Sequence, residues 1–257
     1  MKIKQLAAVT VIAVLAVSAI MYHRAIHAQQ LRSFVLTTTN VNSEPGMVGT
    51  RSSTFDYAVR QDGSYVMDDH DVNSRVIIDF EKNQLIHLQL GIKLKSTEQL
   101  VTKNVRRVLP ALNCAPPANP SEITAKEVND GEILGVPVQR SNIFITYPAG
   151  QMFPEPHQQT KKVWLAPSLG CTLMRSEETW EKWENSKWNP DSTRATQAVS
   201  LTFTPVDEFF AVPDGFTEAA LGDAVLARWR DNPGKFPEPA PDVIQRFNDE
   251  YKKRRMP

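Results

Sequence analysis

Several things are scarce in this 257-residue chain, and each scarcity removes a class of function. Two cysteines and no C-x-x-C leave neither a thiol-exchange motif nor a cysteine zinc cluster. The five histidines, His23, His27, His70, His87 and His157, include no H-E-x-x-H. There is no G-x-S-x-G, no phosphate-cradling Walker loop and no G-x-G-x-x-G, so the glycine signatures of hydrolase and nucleotide folds are missing. Basic excess is missing as well: 29 basic residues balance 29 acidic ones, which gives no electrostatic footprint for nucleic acid. No internal repeat is evident in the sequence.

What is present begins with an export signal. Lys2 and Lys4 precede an apolar run from Leu6 to Tyr22, and the small residue Ala28 stands before Gln29 and Gln30. A basic, an apolar and a cleavable region in that order fit a signal peptide over residues 1–28. The alternative is an uncleaved membrane anchor, since the run is close to the length that spans a bilayer and Arg24 follows it. No cysteine follows the run, which excludes a lipoprotein anchor there. Either way the chain is expected to be exported, to a periplasm or cell envelope. Lys2, Lys4 and Arg24 are three of the 29 basic residues and no acid precedes Ala28, so the remainder carries 26 basic against 29 acidic groups.

In an exported chain, Cys114 and Cys171 are expected to pair. A bridge closing a loop of that length contributes about 4 kcal/mol in the loop-entropy account. The alternatives are two buried thiols, or a reactive thiol with His157 as its base.

Most of the chain reads as β-structure. Strands are expected at Ser33–Thr38, Thr54–Arg60 and Arg75–Phe80, with Asp62-Gly63 making a hairpin turn before Ser64–Met67. Ile86, Leu88, Leu90, Ile92 and Leu94 alternate with polar residues and predict one long half-buried strand. Ser96–Leu109 reads equally as a short helix or a continued strand, and a short helix is expected from Ser121. Glu132–Val138 and Asn142–Tyr147 resume the sheet, with Pro137 at an edge or bulge. Lys161–Ser176 reads as strand, Ala-Pro-Ser-Leu-Gly turn and strand, and is the best-defined hairpin in the chain. Glu177–Arg194 reads as a polar insert bearing Trp180, Trp183 and Trp188, followed by a strand at Ala195–Thr204. Beyond Phe216 the period changes: Leu221, Val225 and Trp229, then Val243, Phe247 and Tyr251, mark two short helices separated by a proline-rich stretch.

The fold class is therefore mainly β (α+β), an antiparallel sheet with short C-terminal helices. Its expected divisions are 1–28, a β domain at 29–216 and a helical extension at 217–257. Asp68, Asp69, His70 and Asp71 are consecutive and cannot all face one ion, so they read as a solvated hairpin end. Nothing in the pattern asks for a metal or cofactor. The Trp cluster is either an aromatic lid over the sheet or a contact surface for a sugar, lipid or protein. Lys252, Lys253, Arg254 and Arg255 read as a solvated terminus.

Five stretches resemble exported bacterial proteins with the half-barrel fold of the outer-membrane lipoprotein carrier (LolA/LolB-like). They are YAVRQDGSYV (Tyr57–Val66), RVIIDF (Arg75–Phe80), DGEILGVPV (Asp130–Val138), VWLAPSLGCTLMRSE (Val163–Glu177) and TPVDEFFAVPDGF (Thr204–Phe216). The resemblance implies a curved antiparallel sheet or incomplete β-barrel whose concave face is plugged by a helix or loops and, in the carriers, holds acyl chains. Other proteins of this shape sense lipoproteins or envelope stress. No functional residue carries over, because the matched stretches are a turn, a strand and a strand stop.

The expected function is non-enzymatic: a hydrophobic or amphipathic ligand, a lipid or a lipoprotein's acyl chain, bound in a concave β face. Its expected lining is Ile86, Leu88 and Leu90, with Trp164, Trp180 and Trp183 at a rim. A protein-interaction module with a filled core and an envelope hydrolase are the alternatives. Partners are accordingly a lipid or lipoprotein, or an envelope protein, with no nucleic acid, and with membrane association only if the N-terminal segment stays uncleaved.

Overall fold

The computed structural model describes residues 31–43, 50–101, 105–111, 114, 122–127, 131–150, 154–231 and 239–255. The signal or anchor segment and most of the proline-rich excursion after Cys114 lie outside these residues. No described helix is long and apolar enough to cross a membrane.

Fourteen strands run β1 (Phe34–Ser43), β2 (Arg51–Val59), β3 (Tyr65–Asp69), β4 (Ser74–Asp79), β5 (Gln84–Gln89), β6 (Leu94–Gln99), β7 (Glu122–Glu127), β8 (Glu132–Ile133), β9 (Val136–Pro137), β10 (Gln139–Tyr147), β11 (His157–Ala166), β12 (Thr172–Glu184), β13 (Lys187–Thr202) and β14 (Thr217–Glu218). Two helices follow, α1 (Leu221–Asp231) and α2 (Pro241–Arg255). Twelve strands form one sheet, ordered β14-β6-β5-β4-β3-β2-β1-β13-β12-β11-β10-β7. Every pairing is antiparallel except β14 on β6. The expected fold class is the observed one: a large curved sheet, not closed into a barrel, with two C-terminal helices.

The alternation of each strand gives the sheet two apolar faces. Directly paired residues share a face, so Val35, Ala58, Val66, Ile77 and Ile86 form one row across β1 to β5. Phe34, Val59, Tyr65, Ile78 and Leu85 form the neighbouring row on the other face. The first face is covered by Val206, Phe209 and Phe210 around a 3-10 turn at Asp207–Phe210. The second carries the larger core, where Phe34, Leu36, Trp164 and Met174 pack with Val136 and Val138. Each such side chain contributes about 1.5–3 kcal/mol on burial.

The chain ends by wrapping the β6 edge. After the 3-10 turn on one face, β14 runs beside β6, and the Glu218 carboxylate accepts the Thr97 amide at 2.9 Å. Helix α1 then lies on the other face, where Arg228 reaches Asp69 at 3.7 Å. Gly222 lets α2 approach: a Cβ there would stand 2.4 Å from the Ile244 carbonyl oxygen. Asn248 Nδ2 donates to Asp223 Oδ1 at 2.9 Å and fixes the helix pair.

Four expectations are corrected. The apolar alternation from Ile86 to Leu94 is two strands, β5 and β6, because a turn at 90–93 reverses the chain between them. Turns of the same length at 70–73, 80–83 and 90–93 give β3 to β6 a ten-residue repeat, each ending in a left-handed residue: Asn73, Asn83 and Lys93. The short helix expected after Ser121 is strand β7, paired to β10. Glu132–Val138 does not join the sheet; β8 and β9 form their own hairpin across Leu134 and Gly135, both at positive φ. Finally, Glu177–Arg194 is no insert. It is the distal half of the β12–β13 hairpin, where a register shift after Trp180 accommodates Pro190.

Candidate functional site: the concave face

A cavity of about 210 Å³ fixes which face is concave. It is lined by Thr38, Tyr57, Val59, Tyr65, Val108, Thr172, Leu173 and Thr196. Tyr65 on β3 and Leu173 on β12 stand four strand steps apart, about 19 Å on a flat sheet. Both line one small cavity, so the sheet bends around it.

A strap of residues 105–111 closes one end. The Val108 amide donates to the Gly63 carbonyl at 3.1 Å and the Ala111 amide to the Pro167 carbonyl at 2.9 Å. These acceptors sit in the β2–β3 turn and in the 3-10 turn Pro167–Leu169 between β11 and β12. Cys114 and Cys171 are bonded, with Cα atoms 5.4 Å apart, and the Cys114 amide donates to Gln139 Oε1 at 3.0 Å. The bond ties the far end of the strap to the β11–β12 turn. It also removes the alternative of a reactive Cys171 thiol served by His157.

Two tyrosines wall the cavity. Burial pushes the Tyr57 phenol above its usual range, with Asp69 and then Tyr65 adding to the effect. Burial does the same to Tyr65. Arg228 of α1 is held below its usual value by burial, against the opposing charge of Asp69.

Beyond Thr196 the same face turns polar. Ile143, Lys161, Glu178, Arg194 and Asn42 pair in succession across β10, β11, β12, β13 and β1. Glu178 is 7 % exposed. Lys161 Nζ lies 3.4 Å from its carboxylate, and the Trp180 indole N–H donates to it. Burial alone would raise the Glu178 pKa. The Trp180 hydrogen bond, Lys161, the Gln159 hydrogen bond and Arg194 together outweigh burial and hold it below the usual carboxylate value. Tyr147 stacks on Trp180 with ring centres 5.4 Å apart, and its hydroxyl donates to Gln159 Oε1 at 3.2 Å. His157 is buried beside them; its Nδ1 donates to the Glu155 carbonyl at 2.9 Å.

The structure does not bring the six expected lining residues together. Ile86, Leu88 and Leu90 pack under Val206 and Phe210 on the convex face, as core. Trp180 lies on the concave face, in the polar row's wall. Trp164 is buried among Val136, Val138 and Ala166, with the Arg175 guanidinium 4.8 Å from its ring centre. Trp183 is 40 % exposed and meets Trp188 edge-on at 5.3 Å near the β12–β13 hairpin tip. The tyrosines at 57 and 65 and the ladder through Glu178 were the missed residues. Tyr57 and Tyr65 carried a signal, since each sits in strand alternation flanking the Asp62-Gly63 turn. Among the described residues no group of His, Cys, Asp or Glu could hold a metal.

No family model matches the chain, and no curated protein matches its sequence. Solved structures do. A DUF1329 family protein from Desulfovibrio piger is 11% identical, with a TM-score of 0.31, over 73% of this chain and 93% of that one. A LolA superfamily protein from Nitrosomonas europaea is 7% identical, with a TM-score of 0.25, over 74% and 97%. The MucA/MucB complex of Pseudomonas aeruginosa contains a chain 14% identical, with a TM-score of 0.31, over 77% and 62%. DUF1329 and LolA-superfamily proteins are thus among the structural neighbours.

Proposed function

We propose that the protein binds an amphiphile in the cell envelope, taking an apolar chain into the concave-face cavity and acting without covalent chemistry. The observation that carries this reading is the cavity itself: an apolar space between Tyr57, Val59, Tyr65, Val108 and Leu173 that the helices, the strap and the core leave unfilled. At about 210 Å³ it is smaller than the ~300–1,000 Å³ sites that enclose a whole drug-sized molecule. It suits the end of one acyl or alkyl chain, with the rest of the ligand lying along the face. The apolar run at residues 6–22 suits an exported protein that meets such ligands in the periplasm.

Native and denaturing mass measurement of the full chain recovered from a bacterial envelope tests this. The expected result is extra mass that is lost on denaturation and is absent from Leu173→Trp, whose indole fills the cavity. A bare polypeptide that gains no mass on adding octyl-chain amphiphiles overturns the reading.

A protein-binding role has one observation in its favour, the exposed edge-on pair of Trp183 and Trp188 near the hairpin tip. A partner held there would be released by replacing both indoles with serine, with amphiphile binding unchanged.

A further inference from the structure

The concave face joins an apolar cavity to a charged row without a break. Thr196 and Thr38 line the cavity, while Arg194, Asn40 and Asn42 follow on the same faces of β13 and β1. Two residues along a strand is about 6.6 Å, so the cavity wall at Thr196 and the charge at Arg194 stand a few bond lengths apart.

The row holds two cations, Lys161 and Arg194, and one anion, Glu178. The anion is already satisfied by the Trp180 indole, Lys161 and Gln159. Arg194 is exposed, and its Nε donates to Asn42 Oδ1 at 3.1 Å; among the described residues its Nη groups make no hydrogen bond. The row thus carries a surplus positive charge, and Arg194 has guanidinium donors to spare. Beside it, Asn42, Trp180, Ser192, Thr193 and Arg194 surround a hollow of about 20 Å³, room for one oxygen-sized group. The Trp180 ring, stacked on Tyr147, is its apolar wall. An ordinary cross-strand ion ladder would account for the charges alone. It would not account for a second, exposed cation held by Asn42 over a hollow beside an apolar cavity, when the carboxylate of the row is already paired with Lys161.

We propose that Arg194, held by Asn42 and backed by Lys161, binds the anionic head of the amphiphile, a phosphate or carboxylate, whose chain enters the Tyr57–Leu173 cavity. The inference rests on the reading of the cavity given above. A planar guanidinium suits such a head because it presents parallel N–H groups to two oxygens.

Titration calorimetry of the full chain with octyl phosphate, octyl glucoside, octyltrimethylammonium and inorganic phosphate, each below its micelle concentration where it has one, tests the proposal. Octyl phosphate is expected to bind at least tenfold tighter than the other two octyl compounds and tighter than inorganic phosphate. Arg194→Gln is expected to erase that preference and leave octyl glucoside binding unchanged. Lys162→Gln, the same charge change on the opposite face, is expected to keep the preference. Equal binding of all three octyl compounds overturns the head-group site and leaves the cavity reading standing. Inorganic phosphate binding as tightly as octyl phosphate shows a free-anion site and overturns the link to an amphiphile. A preference lost equally in Lys162→Gln reduces the effect to net charge and overturns the site. Binding by none of the four overturns both readings.

Discussion

Gly63 and Gly170 press on the same strap residue from two hairpin turns. A Cβ on Gly63 would stand 2.3 Å from the Val108 carbonyl oxygen, and one on Gly170 would stand 2.5 Å from Val108 Cγ1. Both glycines also have positive φ, +82° and +69°. The two turns clamp the strap that closes the cavity, so each glycine is required for backbone conformation and for close approach together.

Alanine at either position is therefore expected to destabilise more than conformation alone predicts. Gly131 has the same φ, +82°, with nothing within 4 Å of its Cβ position. Gly131→Ala should cost about 1–2 kcal/mol, the left-handed penalty. Gly63→Ala and Gly170→Ala should each exceed it by at least about 1 kcal/mol through overpacking against the strap. Urea denaturation of the three variants measures the difference.

The disulfide should stabilise the protein in proportion to the loop it closes. With a separation of 57 residues between Cys114 and Cys171, reduction is expected to lower stability by about 4 kcal/mol. Gly170→Ala and reduction loosen the same strap, so their combined effect should fall short of the sum. Denaturation of wild type and Gly170→Ala, oxidised and reduced, checks both statements.

The sequence made the sheet legible because period-two alternation survives wherever one face is buried: β1, β2, β4 and the Lys161–Ser176 hairpin were all visible. It failed at the places where a local signal and a tertiary constraint disagree. Ile86–Leu94 alternates without interruption, yet Gly91 and a left-handed Lys93 turn the chain. The aromatic and charged residues of β12 and β13 concealed a strand pair because the shift after Trp180 and Pro190 breaks the alternation. The candidate site was harder still. Ile86 and Leu88 have the pattern of groove residues, but both faces of this half of the sheet are covered, and alternation cannot say which face is curved inward. The ladder from Lys161 to Arg194 depends on pairing between three strands, a register that no local pattern encodes.

Tyr57 offers a spectroscopic check on the concave face. Its raised pKa means the neutral phenol is favoured in the folded state. The stability this gives is fully present below the unfolded value near pH 10 and is lost as pH rises through the higher folded value. Alkaline titration by absorbance should show Tyr57 ionising late or together with unfolding. Asp69→Asn should bring that ionisation to lower pH while leaving it above the free value, since burial is the larger cause. Tyr57→Phe should reduce the late transition and leave the part that belongs to Tyr65, whose phenol burial also raises.

Lys161 and Glu178 set the opposite pH dependence. The Glu178 pKa is lowered on folding, so the pair's stability is present above the unfolded value of about 4.3 and is lost as pH falls through the lower folded value. Lys161→Met deletes one compensating charge and leaves a carboxylate that is 7 % exposed with weaker support. Lys161 is 34% exposed, so solvent screening limits the loss to about 1–2 kcal/mol at neutral pH. The sign is the sharper test. Because the variant loses one of the interactions that lower the Glu178 pKa, it should recover stability relative to wild type as pH falls toward 4, where a neutral carboxyl no longer needs the cation. Urea midpoints of the two proteins at pH 7 and pH 4 measure it. A gap that stays constant between those pH values would show that Lys161 supports the sheet by packing its aliphatic stem, with no electrostatic part in holding Glu178.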